Sequence, residues 1–341
     1  MKALKFTSVM QTEYVDIAIP EIGDNQVLIK VEAAGICHSD VMALQGKHPY
    51  RIPPVITGHE FSGTITRVGS DVKDFLIGDK VCVEPQIGCG ECIYCKEGNY
   101  NLCNNKALIG VGEWIGAFAE YTVAYPSMCI KLPDQISFEE AALFEPLSVG
   151  IHAVEMLNIK RDSNIAVLGC GTIGMMTLAA LMTKRPKKVF VSEISESKRM
   201  IARKFGDICT LNPNDQDINT VIMDSTDGNG VDFVFVTVPV ESVLQQAIWL
   251  ARKRGIVSII AVFESSIALD VLYLQQGERK VVGSSMYTIK DFYTAINYRL
   301  NGFVDFNNLI TKKISFDKLG DNIERLAKGD MKDEIKIIAR L

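Results

Sequence analysis

Over the first third of the chain, short apolar runs alternate with turn residues. Residues 3–6, 15–19 and 27–31 are such runs, broken by Pro20-Glu21-Ile22-Gly23-Asp24-Asn25. Residues 64–68, 78–83 and 117–123 continue the pattern, which predicts antiparallel strands. Residues 137–158 read instead as helical, opened by a capping box of Ser137 and Glu140. From 164 the rhythm changes again. Ile165-Ala166-Val167-Leu168 is an unbroken apolar run, the mark of a parallel strand buried on both faces. A glycine-rich turn follows, then the helix formers of 175–182, then Val189-Phe190-Val191 ending at Ser192-Glu193. Beyond it the pattern predicts helices over 197–205, 240–252, 290–300 and 316–328. Strands are predicted over 232–236, 255–262, 281–284 and 334–338. The chain therefore reads as α/β in three parts. Residues 1–147 form a β-rich catalytic domain and 148–283 a dinucleotide domain with a doubly wound parallel sheet. Residues 284–341 return to the first domain.

The turn Gly169-Cys170-Gly171-Thr172-Ile173-Gly174 carries the first chemical signal. In such a turn the first glycine permits the tight bend and the second lets backbone approach a pyrophosphate. The third lets helix and strand pack closely. The helix start at Thr172 and Ile173 offers N–H donors and a partial positive charge. Glu193 lies 19 residues past Gly174, where a carboxylate meets the adenosine ribose. Lys198 and Arg199 follow it and could offer cations to a phosphate.

The loop 88–103 holds Cys89, Cys92, Cys95 and Cys103, spaced C-x2-C-x2-C-x7-C. Four thiolates this close suit one tetrahedral Zn²⁺ with no open position, a structural site. An iron–sulfur cluster fits less well, because the fourth spacing is wrong and no Pro follows. Cys37, His59 and Glu60 offer a thiolate, an imidazole and a carboxylate, all zinc ligands. Their wide separation leaves packed side chains as the plain alternative. Glu145 stands among Ala141, Ala142, Leu143, Phe144 and Leu147, company in which a carboxylate is normally paired or metal-bound, the plain alternative being a surface glutamate on one helical face. Ser39 is either a turn-capping residue or a proton carrier.

Composition narrows the field. The chain has 341 residues, 48% hydrophobic and 23% charged, with net charge −5. With no basic stripe, nucleic acid is not an expected partner. No apolar run reaches membrane-spanning length, so no membrane is expected either. Nine cysteines, four of them clustered as ligands, suit a reducing, cytoplasmic setting better than a disulfide framework.

Taken together, these motifs resemble the zinc-containing medium-chain dehydrogenases, and among them the polyol (sorbitol-type) dehydrogenases. The resemblance rests on Gly35-Ile36-Cys37-His38-Ser39-Asp40, Gly58-His59-Glu60, the four-cysteine loop, the glycine turn and Glu145-Pro146-Leu147-Ser148-Val149-Gly150-Ile151-His152-Ala153. It covers nearly the whole chain. It implies a GroES-like catalytic domain beside the Rossmann domain. It also implies a catalytic zinc on Cys37, His59 and Glu60, with Glu145 binding the zinc or its water. Ser39 would take the substrate proton, and His38 would lie near the pyrophosphate. The implied reaction moves hydride from a secondary hydroxyl of a polyol or sugar alcohol to a nicotinamide. Threonine, butanediol or a sugar-alcohol phosphate are alternative substrates, and a non-catalytic zinc- and nucleotide-binding protein is a remoter one. A homo-oligomer, dimer or tetramer, is implied too, with 259–263 as an apolar stretch near a sheet edge.

Two departures from the family pattern touch cofactor contacts: Thr237-Val238 in place of Thr-Gly, and Ala261-Val262 in place of Val-Gly. On cofactor choice Glu193 is the deciding residue. It can accept hydrogen bonds from both ribose hydroxyls and repel the phosphate of NADP, by on the order of a few kcal/mol at intermediate dielectric. The expected cofactors are therefore NAD and two zinc ions per chain.

Overall fold

Strand Val27–Gly35 is the hub of the first sheet. It pairs antiparallel with Glu60–Val68 on one side and with Lys336–Arg340 on the other. Tyr121–Ala124 pairs with its opposite end. Lys80–Val83 and Cys129–Lys131 extend the sheet past Glu60–Val68, and Ile310–Ser315 lies parallel to Lys336–Arg340. That last pair is joined through helix Leu319–Lys328, as a parallel connection requires. Alternate residues of the hub strand feed one core that includes Val27, Ile29, Val31, Phe61, Ile65 and Phe118.

The computed structural model describes residues 1–341, which fall into two units. One contains Met1–Glu145, Thr288–Phe292 and Ile310–Leu341; the other contains Pro146–Tyr287 and Tyr293–Leu309. The second unit holds six strands: β1 (Asn164–Leu168), β2 (Lys188–Ser192), β3 (Cys209–Leu211), β4 (Val231–Val236), β5 (Ala251–Ile259) and β6 (Lys280–Gly283). All pair in parallel, in the order β3-β2-β1-β4-β5-β6. This is the Rossmann order, with β1 and β4 adjoining where the winding reverses. Ala166, Leu168, Val234 and Val236 are buried with Leu244, Ala247 and Ile248 of helix Glu241–Leu250. Ile165, Val167 and Phe235 are buried on the other face, and burial on both faces matches the unbroken apolar runs.

Several elements differ from the sequence reading. The helix predicted over 137–158 is two, Phe138–Ala141 and Phe144–Glu155. Pro146 has no N–H to give the carbonyl one turn back, so a continuous helix through Ala142 cannot form there. The helix predicted to Arg252 stops at Leu250, because Ala251 already pairs with Val231. Residues 259–263 are not at an edge: Ile259 ends β5, and β6 lies outside it. The short strand β3 and helices Ile218–Ser225 and Val271–Gln276 carry too little pattern to have been foreseen. No helix is long and apolar enough to cross a membrane.

Candidate metal and dinucleotide sites

Three adjacent strands assemble the first cluster. The hub strand ends at Gly35 and delivers Cys37 just before helix His38–Leu44. Gly35 sits opposite Glu60 in the ladder. A Cβ on Gly35 would lie 2.3 Å from Glu60 Oε2, so only glycine leaves room for that carboxylate. The donor atoms of Cys37, His59 and Glu60 lie within 4.8 Å of one another. Thiolate, imidazole and carboxylate in such a group form a fitting donor set for Zn²⁺. Glu145 is buried but is not part of that group.

Two residues outside the sequence reading set the electrostatics. Lys336, on the strand flanking the hub, is 1% exposed, as is Glu60. Its Nζ donates to Glu60 Oε1 at 2.8 Å, Glu60 Oε2 at 2.6 Å and Ile36 O at 3.0 Å, which satisfies all three of its N–H groups. Burial alone would lower the Lys336 pKa, but the charges of Glu60, Cys37 and Glu145 outweigh it and raise it. A lysine between isoleucines in a short closing strand was the available signal.

Asp40 is the other. It is fully buried, accepts the Cys37 N–H at 2.9 Å and the Thr57 hydroxyl at 2.7 Å, and stands 3.6 Å from His59 Nδ1. Burial pushes its carboxyl up, but His59, Arg51 and Thr57 hold it well below the usual carboxylate range. In return, Asp40 and Cys37 raise the His59 pKa well above an ordinary imidazole, against burial and Arg51. With Nδ1 facing Asp40, His59 has Nε2 left for a metal, the usual carboxylate–histidine arrangement at metal sites. Ser39 Oγ lies 3.5 Å from that Nε2 and accepts from Arg51 Nη1 at 3.2 Å.

The second cluster is local. Cys89, Cys92, Cys95 and Cys103 also place their sulfurs within 4.8 Å, and none forms a disulfide. Cys89 and Cys95 sulfurs are 3.9 Å apart, close to the edge of about 3.8 Å of a tetrahedron with Zn–S near 2.3 Å. The N–H groups of Glu91 and Cys92 pull the Cys89 thiol down to about 6. Burial, together with neighbouring sulfurs, pushes Cys95 up to about 12, so ionising it beside Cys89 calls for a cation. The donor set fits a closed metal site.

In the second unit the glycine turn is built from close approaches. Gly169 has φ +92°, which favours glycine. A Cβ on Gly174 would lie 2.2 Å from Gly169 O, so helix and turn pack backbone to backbone. A Cβ on Gly171 would meet nothing within 4 Å, which leaves room for a phosphate at the helix start. Thr172 and Ile173 form the first turn of helix Thr172–Thr183, whose start no side chain caps.

Glu193 follows β2 and is pinned at both oxygens. Oε2 accepts the Cys170 N–H at 2.8 Å and Oε1 accepts the Ser195 N–H at 2.9 Å. Each oxygen keeps a lone pair for a ribose hydroxyl. Arg199, a candidate phosphate cation from the sequence, is spent elsewhere. Its Nη1 donates to Glu193 O and Ile194 O at 2.6 and 2.8 Å, and its other nitrogens pair with Glu196. Lys198 is half-buried beside it. Thr237 donates to Leu168 O and Gly169 O, both at 3.0 Å, and so ties the end of β4 to the turn. Val238 fills the space beside Gly169, and Val262 is exposed. His38 is exposed at the start of its helix.

The fold and the two donor clusters define a class, and comparison with known proteins agrees. The alcohol dehydrogenase GroES-like domain profile matches residues 23–134 and the zinc-binding dehydrogenase profile matches 172–299. The chain belongs to the zinc-binding dehydrogenase family and is an oxidoreductase of the kind that uses zinc and a nicotinamide cofactor on an alcohol. It is 33% identical to the sorbitol dehydrogenase of Bacillus subtilis over 95% of this chain and 93% of that one. It is 30% identical to the L-idonate 5-dehydrogenase of Vitis vinifera over 95% and 90%. A Sinorhizobium meliloti 1021 protein solved bound to NADP superposes with TM-score 0.93 at 30% identity, covering 100% of this chain and 99% of that one.

The buried pair yields a prediction. Removing one member leaves an uncompensated buried charge. Lys336→Met is therefore expected to lower unfolding free energy by about 3–5 kcal/mol. Urea denaturation checks it, and adding Glu60→Gln should restore part of the loss. An unchanged midpoint for the single variant would show that the pair carries no stability.

Proposed function

We propose that the protein oxidises a secondary hydroxyl of a polyol or sugar alcohol, with hydride passing to NAD. The observation that carries this is the Cys37–His59–Glu60 cluster with Ser39 at its side. A bound zinc there supplies Lewis acidity toward an alcohol, and a bound nicotinamide accepts hydride. Cys37, His59 and Glu60 are the residues to hold that metal, with Asp40 orienting the His59 ring. Ser39 takes the alcohol proton. Lys336 balances Glu60, so the cluster does not carry the full charge of its acids, and Glu145 adds a further carboxylate near them. Cys89, Cys92, Cys95 and Cys103 hold a second, structural zinc.

Elemental analysis of protein purified without added metal should find close to two zinc ions per chain. Cys89→Ser should remove one and lower stability. Cys37→Ser should remove the other and abolish NADH formation with sorbitol, xylitol, butanediol and threonine alike. A single zinc in the unaltered protein would refute the two-site reading.

NAD is the proposed cofactor, with Gly169, Gly171, Thr172, Ile173 and Gly174 receiving the pyrophosphate and Glu193 the ribose. The support is that Glu193 is locked against the turn, while Arg199 is committed to its own loop and leaves Lys198 as the cation nearby. The relative that holds NADP makes this a question about these residues rather than about the fold. The expected preference for NAD is at least about tenfold in kcat/KM, equivalent to about 1.4 kcal/mol. Glu193→Ser should shrink it. Equal or better kcat/KM with NADP in the unaltered enzyme would overturn the role given to Glu193.

We also infer a homo-oligomer, paired through β6. That strand ends the sheet with an open edge, and exposed Val262, Val271 and Leu272 follow β5 in sequence. Light scattering at micromolar concentration should report a dimer or tetramer; monomer alone would sink the idea.

A further inference from the structure

Arg51 has no role in the scheme above, yet it is only 5% exposed. It is held in place by its neighbours. Nη1 donates to Ser39 Oγ at 3.2 Å and lies 3.3 Å from His48 Nε2. Its guanidinium stands 5.8 Å from the centre of the Tyr50 ring. Its charge is not matched by a salt bridge. Its charge is felt by Asp40, whose oxygens already serve Thr57, the Cys37 N–H and His59. His48 beside it stays neutral, held down to about 4 by burial and by Arg51 itself. Nε is sealed from solvent with no partner at all. Nη2 also has no partner in the protein, but it is not sealed. Buried charges are normally paired, so an unpaired guanidinium one hydrogen bond from the proton-accepting serine is a cation kept for a ligand.

We propose that Arg51 is a specificity residue that binds an anionic group of the substrate, so that the preferred alcohol is a polyol bearing a carboxylate or a phosphate. The proposal rests on the alcohol-oxidising reading of the Cys37–His59–Glu60 site. The geometry is suited to it. With Nη1 turned to Ser39 and Nε sealed from solvent, Nη2 is the donor left for an oxygen of a carboxylate or phosphate, a charge-assisted hydrogen bond. Because Ser39 receives the reacting hydroxyl, the anion would sit a few carbons along the same small molecule. A neutral polyol would leave the charge unmatched.

Calorimetric titration of the zinc-loaded protein without NAD tests binding in the absence of turnover. The probes are L-idonate and D-gluconate for carboxylate, galactitol 1-phosphate for phosphate, and sorbitol and xylitol as neutral polyols. At least one anionic probe should bind about tenfold or more tightly than either neutral one. Which arm binds identifies the anion. Added sodium chloride should weaken the anionic probes and not the neutral ones. Arg51→Met should collapse the anionic-to-neutral ratio toward one, and Arg51→Lys should keep part of it, because the positive charge remains. If Arg51→Met does not fold, the preference of the unaltered protein, its salt dependence and the Lys variant still decide. Neutral polyols binding as tightly as the anions would overturn the proposal. So would an Arg51→Met loss equal for both classes, which would make Arg51 a prop for Ser39. An NADH assay on the same probes separates the two readings: no turnover with any of them defeats the proposed reaction, while the titration still judges Arg51.

Discussion

The Glu60–Lys336 ion pair is the constraint on which the first unit turns. Taking two charges out of water costs several kcal/mol per ion, and the attraction repays it only with good geometry and no donor left over. Here the geometry is supplied by neighbouring strands. The two residues lie 276 positions apart in sequence, yet only the hub strand separates their own strands in the sheet. The hub strand contributes a glycine opposite Glu60 so that the carboxylate fits. The last strand of the chain thus completes a cluster begun by the first sixty residues. The same pair limits the charge of the cluster. Cys37, Glu60 and Glu145 would otherwise bring like charges near one another, and Lys336 is the cation on which all three act. A lysine with every N–H engaged offsets that charge.

The four-cysteine loop solves the same problem locally, and the contrast explains what could be read from sequence. Its donors span fifteen positions, so spacing alone carries the geometry. The glycine turn is also legible, because its three glycines answer to a bend, a phosphate and a close packing contact within one segment. Lys336, Asp40 and Arg51 were missed for the opposite reason. Their roles depend on partners delivered by other strands or loops, and no local period marks them. Asp40 was in plain sight three residues past Cys37, but nothing local says that its carboxylate would face a histidine from another strand. The misread elements have equally physical causes. Pro146 breaks a helix that its neighbours would favour, and strand pairing takes Ala251 from the helix before it.

In the second unit, the departures from the family pattern are absorbed without loss of the turn. Thr237 keeps its hydroxyl on two carbonyls of the turn, so the end of β4 stays fixed to the glycine loop. Val238 then fills space beside Gly169, which makes that glycine necessary twice over, for its φ and for the valine next to it. Glu193 draws on the same loop: one of its oxygens holds the Cys170 N–H, in the middle of the turn. An acid that braces the phosphate-binding turn cannot be exchanged for a smaller residue without loosening the turn. On the proposed reading, cofactor preference and loop order fall to one side chain.

In the proposed reaction, the contacts of Ser39 would set a direction for the proton. A serine hydroxyl has one proton and two lone pairs. Arg51 Nη1 fills one lone pair, and this donation from a cation makes the hydroxyl proton easier to pass on. The other lone pair is the one the proposed reaction would use for the alcohol. His59 Nε2, at 3.5 Å, is too distant to compete strongly for the hydroxyl. Ser39 is therefore placed to accept on one side and release on another. That arrangement depends on a cation which the acids of the cluster have not already consumed: Lys336 is fully engaged with Glu60 and Ile36, and Arg51 is the one that remains.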